Sequence, residues 1–307
     1  MNKWSIVILA VFVVACQPAE EAPPAEAAAE PEPALAEESA VSAADEDVLA
    51  MVLAAQPDDA KARYQYRHPQ DTIEFVGIEP GMTVLEGLPG GGWYTKILLP
   101  YLGSDGHLVG ANYPLDLWPN FPFATEEFMA EMSQWLEKWP AGAEEWRGGD
   151  GASIDAFWFG AMPDEMVGTA DAVFFVRMLH NVWRFQSEGM GDYLDMALKD
   201  AYNALKPGGV LGVVQHHVRD DVSDEWANGS HGYMRKQSVI DRVVAAGFEF
   251  EAESDINANE KDQPSGDDVV WRLPPTFATS GDDEALKAKY AAIGESNRMT
   301  LKFRKPE

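Results

Sequence analysis

A carboxylate and three consecutive glycines lie between a short apolar run and an amphipathic one, within residues 82–102. The apolar run is typical of a buried parallel strand that ends near Glu86, and the residues after the glycines have helical spacing. Gly90, Gly91 and Gly92 would let a ligand approach the backbone N–H groups at a helix N-terminus, because no side chain holds it away. An ordinary strand-to-helix turn also favours glycine, but the carboxylate ahead of it favours a small-molecule site.

A second set of polar residues follows the apolar run 170–177, which is also typical of a buried strand. Arg177, His180 and Asn181 lie at or just after its end. Because the carboxyl ends of parallel strands share one edge of a sheet, we expect these side chains to line a cleft beside the glycine turn. His180 could act as a general base near neutral pH or orient a substrate. Hydrogen bonding to backbone within the turn is an equally good hypothesis for it.

Two adjacent histidines, His216 and His217, end another apolar run. Alternation along a strand sends their side chains to opposite faces, so one of them could reach the same cleft. No metal-ligand spacing of histidines and carboxylates accompanies them, and the single cysteine of the chain lies far away. We therefore predict no metal site.

Strand and helix patterns alternate along the chain, which predicts an α/β fold with a doubly wound, mostly parallel, seven-stranded sheet and helices on both faces. The predicted strands are residues 82–87, 107–112, 154–160, 170–177, 210–218, 248–254 and 298–303. The predicted helices are residues 60–77 with a break near Pro69, 93–102, 128–139, 193–205 and 238–246.

The N-terminus resembles a bacterial lipoprotein signal. Lys3 precedes the apolar run 6–15, which is too short to span a bilayer comfortably and has the length of a signal-peptide core. The run ends in Val-Val-Ala before Cys16, and this pattern resembles the lipobox at which lipoproteins are cleaved and acylated. We expect a signal peptide over residues 1–15, lipidation of Cys16, and export to the periplasmic side of the envelope. Gln17 favours the outer membrane, whereas an unlipidated signal or an N-terminal anchor is the alternative.

Residues 16–47 have the composition of a disordered linker. After Cys16 they include ten acidic residues and several prolines, with no basic and no aromatic residue. Such a segment cannot bury enough apolar surface to offset its ordering entropy. We expect an extended tether ahead of one folded domain, residues 48–307.

The chain carries 51 acidic and 23 basic residues, a net charge of −28. This balance excludes nucleic acid as a partner, because phosphate binding needs a basic face. An anionic membrane surface would also repel the domain, so attachment should come through the lipid alone. The expected partner is a small-molecule substrate.

Four motifs, in order, resemble those of class I S-adenosylmethionine-dependent methyltransferases. They are VLEGLPGGGW, DAVFFVRMLHNV, LKPGGVLGVVQHHV, and the closing pair AAGFEFEAES and RMTLKFRKP. The chain is also similar to a group of exported predicted methyltransferases that share GMTVxExxPGGGWYT and a C-terminal LKFRKP. The resemblance covers about residues 60–306 and implies a Rossmann-like methyltransferase fold with an antiparallel last strand.

The resemblance also implies roles for residues around the glycine turn. Residues 90–92 would contact the methionine part of S-adenosylmethionine, and Glu86 would accept a hydrogen bond from the cofactor ammonium or from water. Capping of the following turn is the alternative role for Glu86. Trp93 and Tyr94 could line the cofactor pocket or pack in the core.

Two positions depart from the pattern of the family. The acid that usually accepts hydrogen bonds from the ribose hydroxyls is replaced by Asn112. Its amide has one acceptor oxygen where a carboxylate has two, and it carries no charge. Asp116 is near enough in sequence to substitute for it. The adenine contact falls near Met162, which offers an apolar face, with Asp150 as a second candidate.

The implied activity is methyl transfer to an unknown small molecule or envelope component, with Arg177, His180 and Asn181 as the catalytic residues. Export creates a difficulty, because an enzyme outside the cytoplasm has no obvious supply of S-adenosylmethionine. The alternative is a non-catalytic ligand-binding lipoprotein that retains the fold and has lost the activity.

Overall fold

The computed structural model describes the backbone of residues 43–307 and the side chains of residues 48–307. Its strands are β1 (Thr83–Gly87), β2 (His107–Asn112), β3 (Ser153–Trp158), β4 (Ala170–Val176), β5 (Leu205–Val218), β6 (Met234–Arg235), β7 (Glu249–Ser254) and β8 (Arg298–Arg304). They form an eight-stranded sheet in the order β3-β2-β1-β4-β5-β8-β7, with the short β6 paired to the end of β5. Strands β1 to β5 pair in parallel, whereas β8 is antiparallel to both of its neighbours.

Helices cover both faces of the sheet. They are α1 (Ala43–Ala55), α2 (Asp58–Lys61), α3 (Tyr64–Arg67), α4 (Pro69–Val76), α5 (Thr95–Leu102), α6 (Glu126–Met132), α7 (Trp135–Arg147), α8 (Leu179–Ser187), α9 (Tyr193–Ala204), α10 (Lys236–Ala245) and α11 (Glu284–Ile293).

The central strands are buried on both faces because their side chains alternate between two apolar layers. Leu85 and Val173 belong to the layer that contains residues of α8, α9 and α10. Val84 and Phe174 belong to the layer built from α1, α4, α5 and α7. A parallel strand covered on both sides reads as a continuous apolar run, which is the pattern that predicted these strands.

The predicted α/β class is confirmed, including the mostly parallel sheet, the helices on both faces and the antiparallel last strand. Strand β2 has the predicted bounds. The predicted single helix over residues 128–139 is instead the pair α6 and α7. Helices α8 and α11 and the two-residue strand β6 were not predicted.

Residues 206–209, between the predicted helix 193–205 and the predicted strand 210–218, form a bulge inside β5. Leu205 pairs with Ala170, and Val210 pairs with Ala172, so residues 206–209 are extra residues opposite a single residue of β4. A bulge of this kind leaves the extra residues unpaired with β4 and interrupts the ladder locally.

The predicted signal peptide, Cys16 and most of the predicted linker lie outside the described residues. Helix α1 begins at Ala43, inside the segment predicted as linker. Across the described part of the chain, no helix combines the length and the apolar character needed to cross a bilayer.

Candidate functional site

The carboxylate at the end of β1 is buried and bound to the first residue of α5. Glu86 is 4% exposed, and the Thr95 hydroxyl donates to its Oε2 at 2.7 Å. Burial raises the pKa of Glu86 to about 7, against the opposing effect of the hydrogen bonds from Thr95. Glu86 thus contacts the start of the helix, as its capping role requires. A buried carboxyl that titrates near neutral pH is also suited to receive a cationic group.

The turn between β1 and α5 uses left-handed backbone, with φ of 53° at Leu88, 55° at Gly90 and 75° at Gly92. A side chain at Gly92 would also collide with the Trp146 ring, so packing against α7 requires this glycine. Gly91 is different, because it is exposed, its φ is not positive, and an added Cβ would meet no atom within 4 Å. The hypothesis that glycine permits ligand approach therefore rests on Gly91.

The aromatic residues at the start of α5 pack against protein. Tyr94 is 5% exposed, and its ring lies edge-on to Phe174 with 4.9 Å between the ring centroids. Trp93 stacks under the guanidinium of Arg67, whose Cζ lies 4.4 Å from the ring centroid. Tyr94 therefore packs in the core, whereas the Trp93 ring makes a cation–π contact with Arg67.

The amide at the end of β2 is already engaged. The backbone N–H of Tyr113 donates to Asn112 Oδ1 at 2.8 Å, and Asn112 is 4% exposed. One lone pair of that amide oxygen is therefore used, and the amide offers a ribose one further acceptor position and its N–H donors, without charge. The Tyr113 hydroxyl donates to the Met178 carbonyl at 2.6 Å and accepts from Asn181 Nδ2 at 3.3 Å, which ties this strand end to α8.

The two acids named as candidates lie in different places. Asp150 precedes β3, and since β3 is parallel to β2, it lies at the opposite edge. The prediction that Asp150 contacts adenine is therefore wrong. Asp116 is exposed, and the Tyr193 hydroxyl lies 3.4 Å from its Oδ2. Met162 follows β3 and packs partly buried against the core, so its contact with adenine stays a prediction.

A cavity of about 200 Å³ opens beyond the ends of β4 and β5. The residues predicted to be catalytic, Arg177, His180 and Asn181, all line it. Gly87 pairs with Phe175 of β4, so the cavity lies next to the turn that follows β1. The rest of the wall comes from β5, from the segment between β7 and β8 and from the start of β8, and includes His216, Trp271, Thr276, Glu295, Ser296 and Arg298.

Arg177 is held in an uncommon backbone conformation. Its φ is 57°, in the left-handed region that non-glycine residues rarely adopt. Its N–H donates to the Val214 carbonyl of β5 at 2.7 Å, so the bend across the strand ends is fixed. Non-glycine residues in such conformations cluster at functional sites, where the surrounding structure holds them in place.

His180 is a neutral donor in this arrangement. Gln215 Nε2 lies 3.2 Å from His180 Nδ1, and the same NH2 group donates to the Gly232 carbonyl at 3.4 Å. The amide thus gives one proton to each acceptor, which places the imidazole proton on Nε2. Burial lowers the pKa of His180 to about 4. The predicted role as an orienting group fits this geometry, whereas a general base would need the lone pair that Gln215 occupies.

His216 completes the histidine pair, with 5.4 Å between its ring centroid and that of His180. Its Nδ1 lies 2.6 Å from the Ser296 hydroxyl, and burial lowers its pKa well below the ordinary value. His217 lies outside the cavity lining and near Asn297, as strand alternation predicts. Within the described residues, no three His, Cys, Asp or Glu side chains are placed to hold a metal ion.

Four arginines gather around one buried carboxylate. Glu295 is 3% exposed and accepts from Arg63 Nε at 2.6 Å, from Arg67 Nε at 3.2 Å and from Arg298. Arg177 lines the same cavity, and within the described chain its guanidinium has no ion pair and no hydrogen bond. Burial, followed by the charges of Arg67 and Arg298, lowers the pKa of Arg177 to about 9. It remains charged at neutral pH.

Sequence reasoning missed most of this cluster. A signal for Arg298 was available, because the first residue of an antiparallel last strand must lie at the carboxyl edge of its parallel neighbours. The structure pairs it with His216. No comparable signal marks Arg63 and Arg67, which lie at the ends of the short helix α3, or Glu295, which follows α11.

Comparison with protein-family models gives no match, and comparison with curated proteins gives none either. Solved structures of similar fold include the cyclase SpnF, at 17% identity over 78% of this chain and 80% of that chain, with a TM-score of 0.43. A SAM-dependent methyltransferase from Aquifex aeolicus is 16% identical over 66% and 93%, with a TM-score of 0.41. An arsenic(III) S-adenosylmethionine methyltransferase from Chlamydomonas reinhardtii is 13% identical over 85% and 73%, also with a TM-score of 0.41.

Proposed function

We propose that this chain is an S-adenosylmethionine-dependent methyltransferase that acts on a small molecule in the bacterial envelope. The observation that carries the proposal is a juxtaposition at one sheet edge. The buried carboxyl of Glu86 and the open face of Gly91 lie at the end of β1, and the cavity lined by Arg177 and His180 lies beyond the neighbouring β4. Two adjacent sites, one for a donor and one for an acceptor, are what group transfer needs.

The residues at the end of β1 fit the cofactor. Glu86 would accept from the ammonium of the methionine part, because a buried carboxyl with a raised pKa becomes favourably ionised beside a cation. The backbone at Gly91 is open to a ligand. Asn112 fits less well than an acid would, since its amide is uncharged and one lone pair of its oxygen already accepts from the Tyr113 N–H. The cofactor would supply an electrophilic methyl group, while Arg177, His180 and Asn181 orient the acceptor.

A substitution at Gly91 tests where the cofactor binds. Gly91→Val should fold normally, because the added side chain has space and the backbone conformation suits any residue. It should abolish binding of S-adenosylhomocysteine in a calorimetric titration, because the side chain would hold the ligand off the backbone. Gly149→Val is the matched control, since Gly149 has the same freedom but precedes β3 at the opposite edge of the sheet. Equal affinities in both variants would refute the assignment.

The uncharged amide of Asn112 at the end of β2 favours a second candidate function, a ligand-binding lipoprotein without catalysis. Its test is methyl transfer from labelled S-adenosylmethionine to extracts of the envelope. Binding without transfer to any fraction would support the binder, whereas a labelled product whose formation falls in His180→Ala would support the enzyme.

The proposed location depends on the N-terminal signal and not on the described domain. We propose that Cys16 carries lipid and holds the acidic domain on the periplasmic side of the envelope, in the outer membrane. Cys16→Ser should then move the protein from the membrane fraction to the soluble fraction, because a surface of such negative charge has no other means of adhesion. A variant that is still processed and still sediments with membranes would contradict the lipid anchor.

A further inference from the structure

We propose that the cavity beyond β4 binds an oxyanion, a carboxylate or phosphate group carried by a second small molecule. That this molecule is the methyl acceptor rests on the proposed function, whereas the anion site itself does not. The site concerns a different group of residues from those expected to hold the cofactor.

The charge of the cavity is the first support. Arg177 and Arg298 bring two positive charges to its wall and Glu295 brings one negative charge, while Arg63 and Arg67 lie outside the lining and pair with Glu295. The two histidines of the wall add no charge at neutral pH, because burial lowers the pKa of both. A cationic cavity in a chain of net charge −28 is not explained by the general composition.

The state of Arg177 is the second support. Three of the arginines form ion pairs with Glu295, whereas Arg177 forms no ion pair among the described residues and has Glu295 only as a more distant charge. Leaving a partly buried guanidinium without an anion is unfavourable, and its neighbours Arg67 and Arg298 make it more so. The strained φ shows that the backbone is held in a rare conformation at this residue.

The chemistry of the wall narrows the ligand class. A guanidinium presents a planar fork of donors that matches the two oxygens of a carboxylate or phosphate. Hydroxyls of Thr276 and Ser296 and the amide of Asn181 line the same cavity and can add neutral hydrogen bonds. A volume of about 200 Å³ suits a small acid or one end of a larger one.

Two molecules could supply the oxyanion, because the methionine part of the cofactor also ends in a carboxylate. The cavity is bounded by the ends of β4 and β5 and by the start of β8, and no residue of the glycine turn lines it. We therefore assign the anion to the second molecule and not to the cofactor.

The experiment measures binding of inorganic phosphate and of acetate by calorimetry at constant ionic strength. The proteins are the wild type, Arg177→Gln, Arg177→Lys and the control Arg219→Gln, which removes a charge from an exposed pair with Asp221. We expect at least one probe to bind the wild type, with affinity about tenfold lower or worse in Arg177→Gln and unchanged in Arg219→Gln. The lysine variant should recover part of the affinity, since it keeps the charge but not the fork. Equal affinity in wild type and Arg177→Gln, or no binding to the wild type, would overturn the proposal.

Titration of the same proteins with S-adenosylhomocysteine separates this proposal from the proposed function. Anion binding that depends on Arg177, with unchanged affinity for S-adenosylhomocysteine, supports both. Anion binding by a wild type that does not bind S-adenosylhomocysteine supports the anion site and contradicts the methyltransferase. Competition between phosphate and S-adenosylhomocysteine, lost in Arg177→Gln, would assign the arginine to the cofactor and overturn the second-molecule assignment.

Discussion

Two buried ionic clusters lie near the carboxyl edge of the sheet, and they differ in balance. In the first, Asp262 accepts from Arg272 Nη2 at 2.7 Å, from the Tyr233 hydroxyl at 2.8 Å and from the Asn297 N–H at 2.9 Å. Its guanidinium partner also donates to a backbone carbonyl and lies near Asp268. In the second, a single carboxylate, Glu295, serves three arginines while a fourth has no partner within the described chain.

The difference separates a structural cluster from a candidate binding cluster. Asp262 meets a guanidinium, a hydroxyl and a backbone N–H within the protein, so this cluster needs nothing from outside. The cluster around Glu295 has more cations than the protein satisfies, and the excess faces a cavity. Buried charge without a partner is retained where a ligand completes it, which is why imbalance is a better guide to function than burial alone.

The balanced cluster should show the largest effect on stability. Asp262→Asn keeps the shape of the side chain but leaves Arg272 without the charge that it pairs with at 2.7 Å. Breaking one side of a buried pair typically costs about 3–5 kcal/mol. Urea denaturation followed by circular dichroism measures the change, and a loss below about 1 kcal/mol would contradict the structural role.

Glu86 is a third buried ionisable group, and within the described residues it forms no ion pair with a cation. Within the described residues Glu86 has only Thr95 as a side-chain partner, and its pKa is about 7 in the folded protein. Its pKa is raised relative to the unfolded chain, so the folded state holds more protons between about pH 4.5 and pH 7. Stability should therefore fall as the pH rises through this window, and the destabilisation is complete above it.

Glu86→Gln should remove this pH dependence and raise the free energy of unfolding at pH 8 by about 1–3 kcal/mol. Urea denaturation at pH 5 and pH 8 measures both effects. A variant that is less stable than the wild type at pH 8 would show that the carboxylate is favourably paired in the folded protein.

Substitution of Arg177, the arginine without an ion pair, should change the free energy of unfolding less than Asp262→Asn does, and in the opposite direction. Arg177→Gln removes a charge that burial and two neighbouring arginines disfavour. Without ligand, it should stabilise the protein by about 1 kcal/mol, as substitutions at functional positions commonly do. Arg219→Gln, an exposed control, should stay within about 0.5 kcal/mol of the wild type. Destabilisation by Arg177→Gln would place it among the structural residues.

Features that are contiguous in the sequence were predicted well. The strand, glycine turn and helix around Glu86 lie within one short segment, and the alternation of such segments determines the order of a parallel sheet. The polar residues after β4, Arg177, His180 and Asn181, line one cavity because they follow a strand whose direction is fixed by its neighbours.

Features that depend on distant parts of the chain could not be predicted in the same way. Arg63 and Glu295 are 232 positions apart and meet only because α3 and the segment before β8 converge on one edge. The protonation of His180 depends on Gln215, whose amide direction no sequence pattern indicates. Asp150 was misplaced because it precedes its strand, and a parallel strand begins at the edge opposite to the one where its neighbours end.

Proton release on binding tests the central claim, that a cofactor with a cationic amino group binds over Glu86, most directly. At pH 7 a carboxyl with a pKa of about 7 is about half protonated. The ammonium of S-adenosylhomocysteine should ionise it, so binding should release about 0.5 proton per site. Calorimetric titration in buffers of different ionisation enthalpy measures this number. We predict binding with proton release in the wild type and binding without release, at lower affinity, in Glu86→Gln. No heat at millimolar S-adenosylhomocysteine, or binding without proton release in the wild type, would contradict the account.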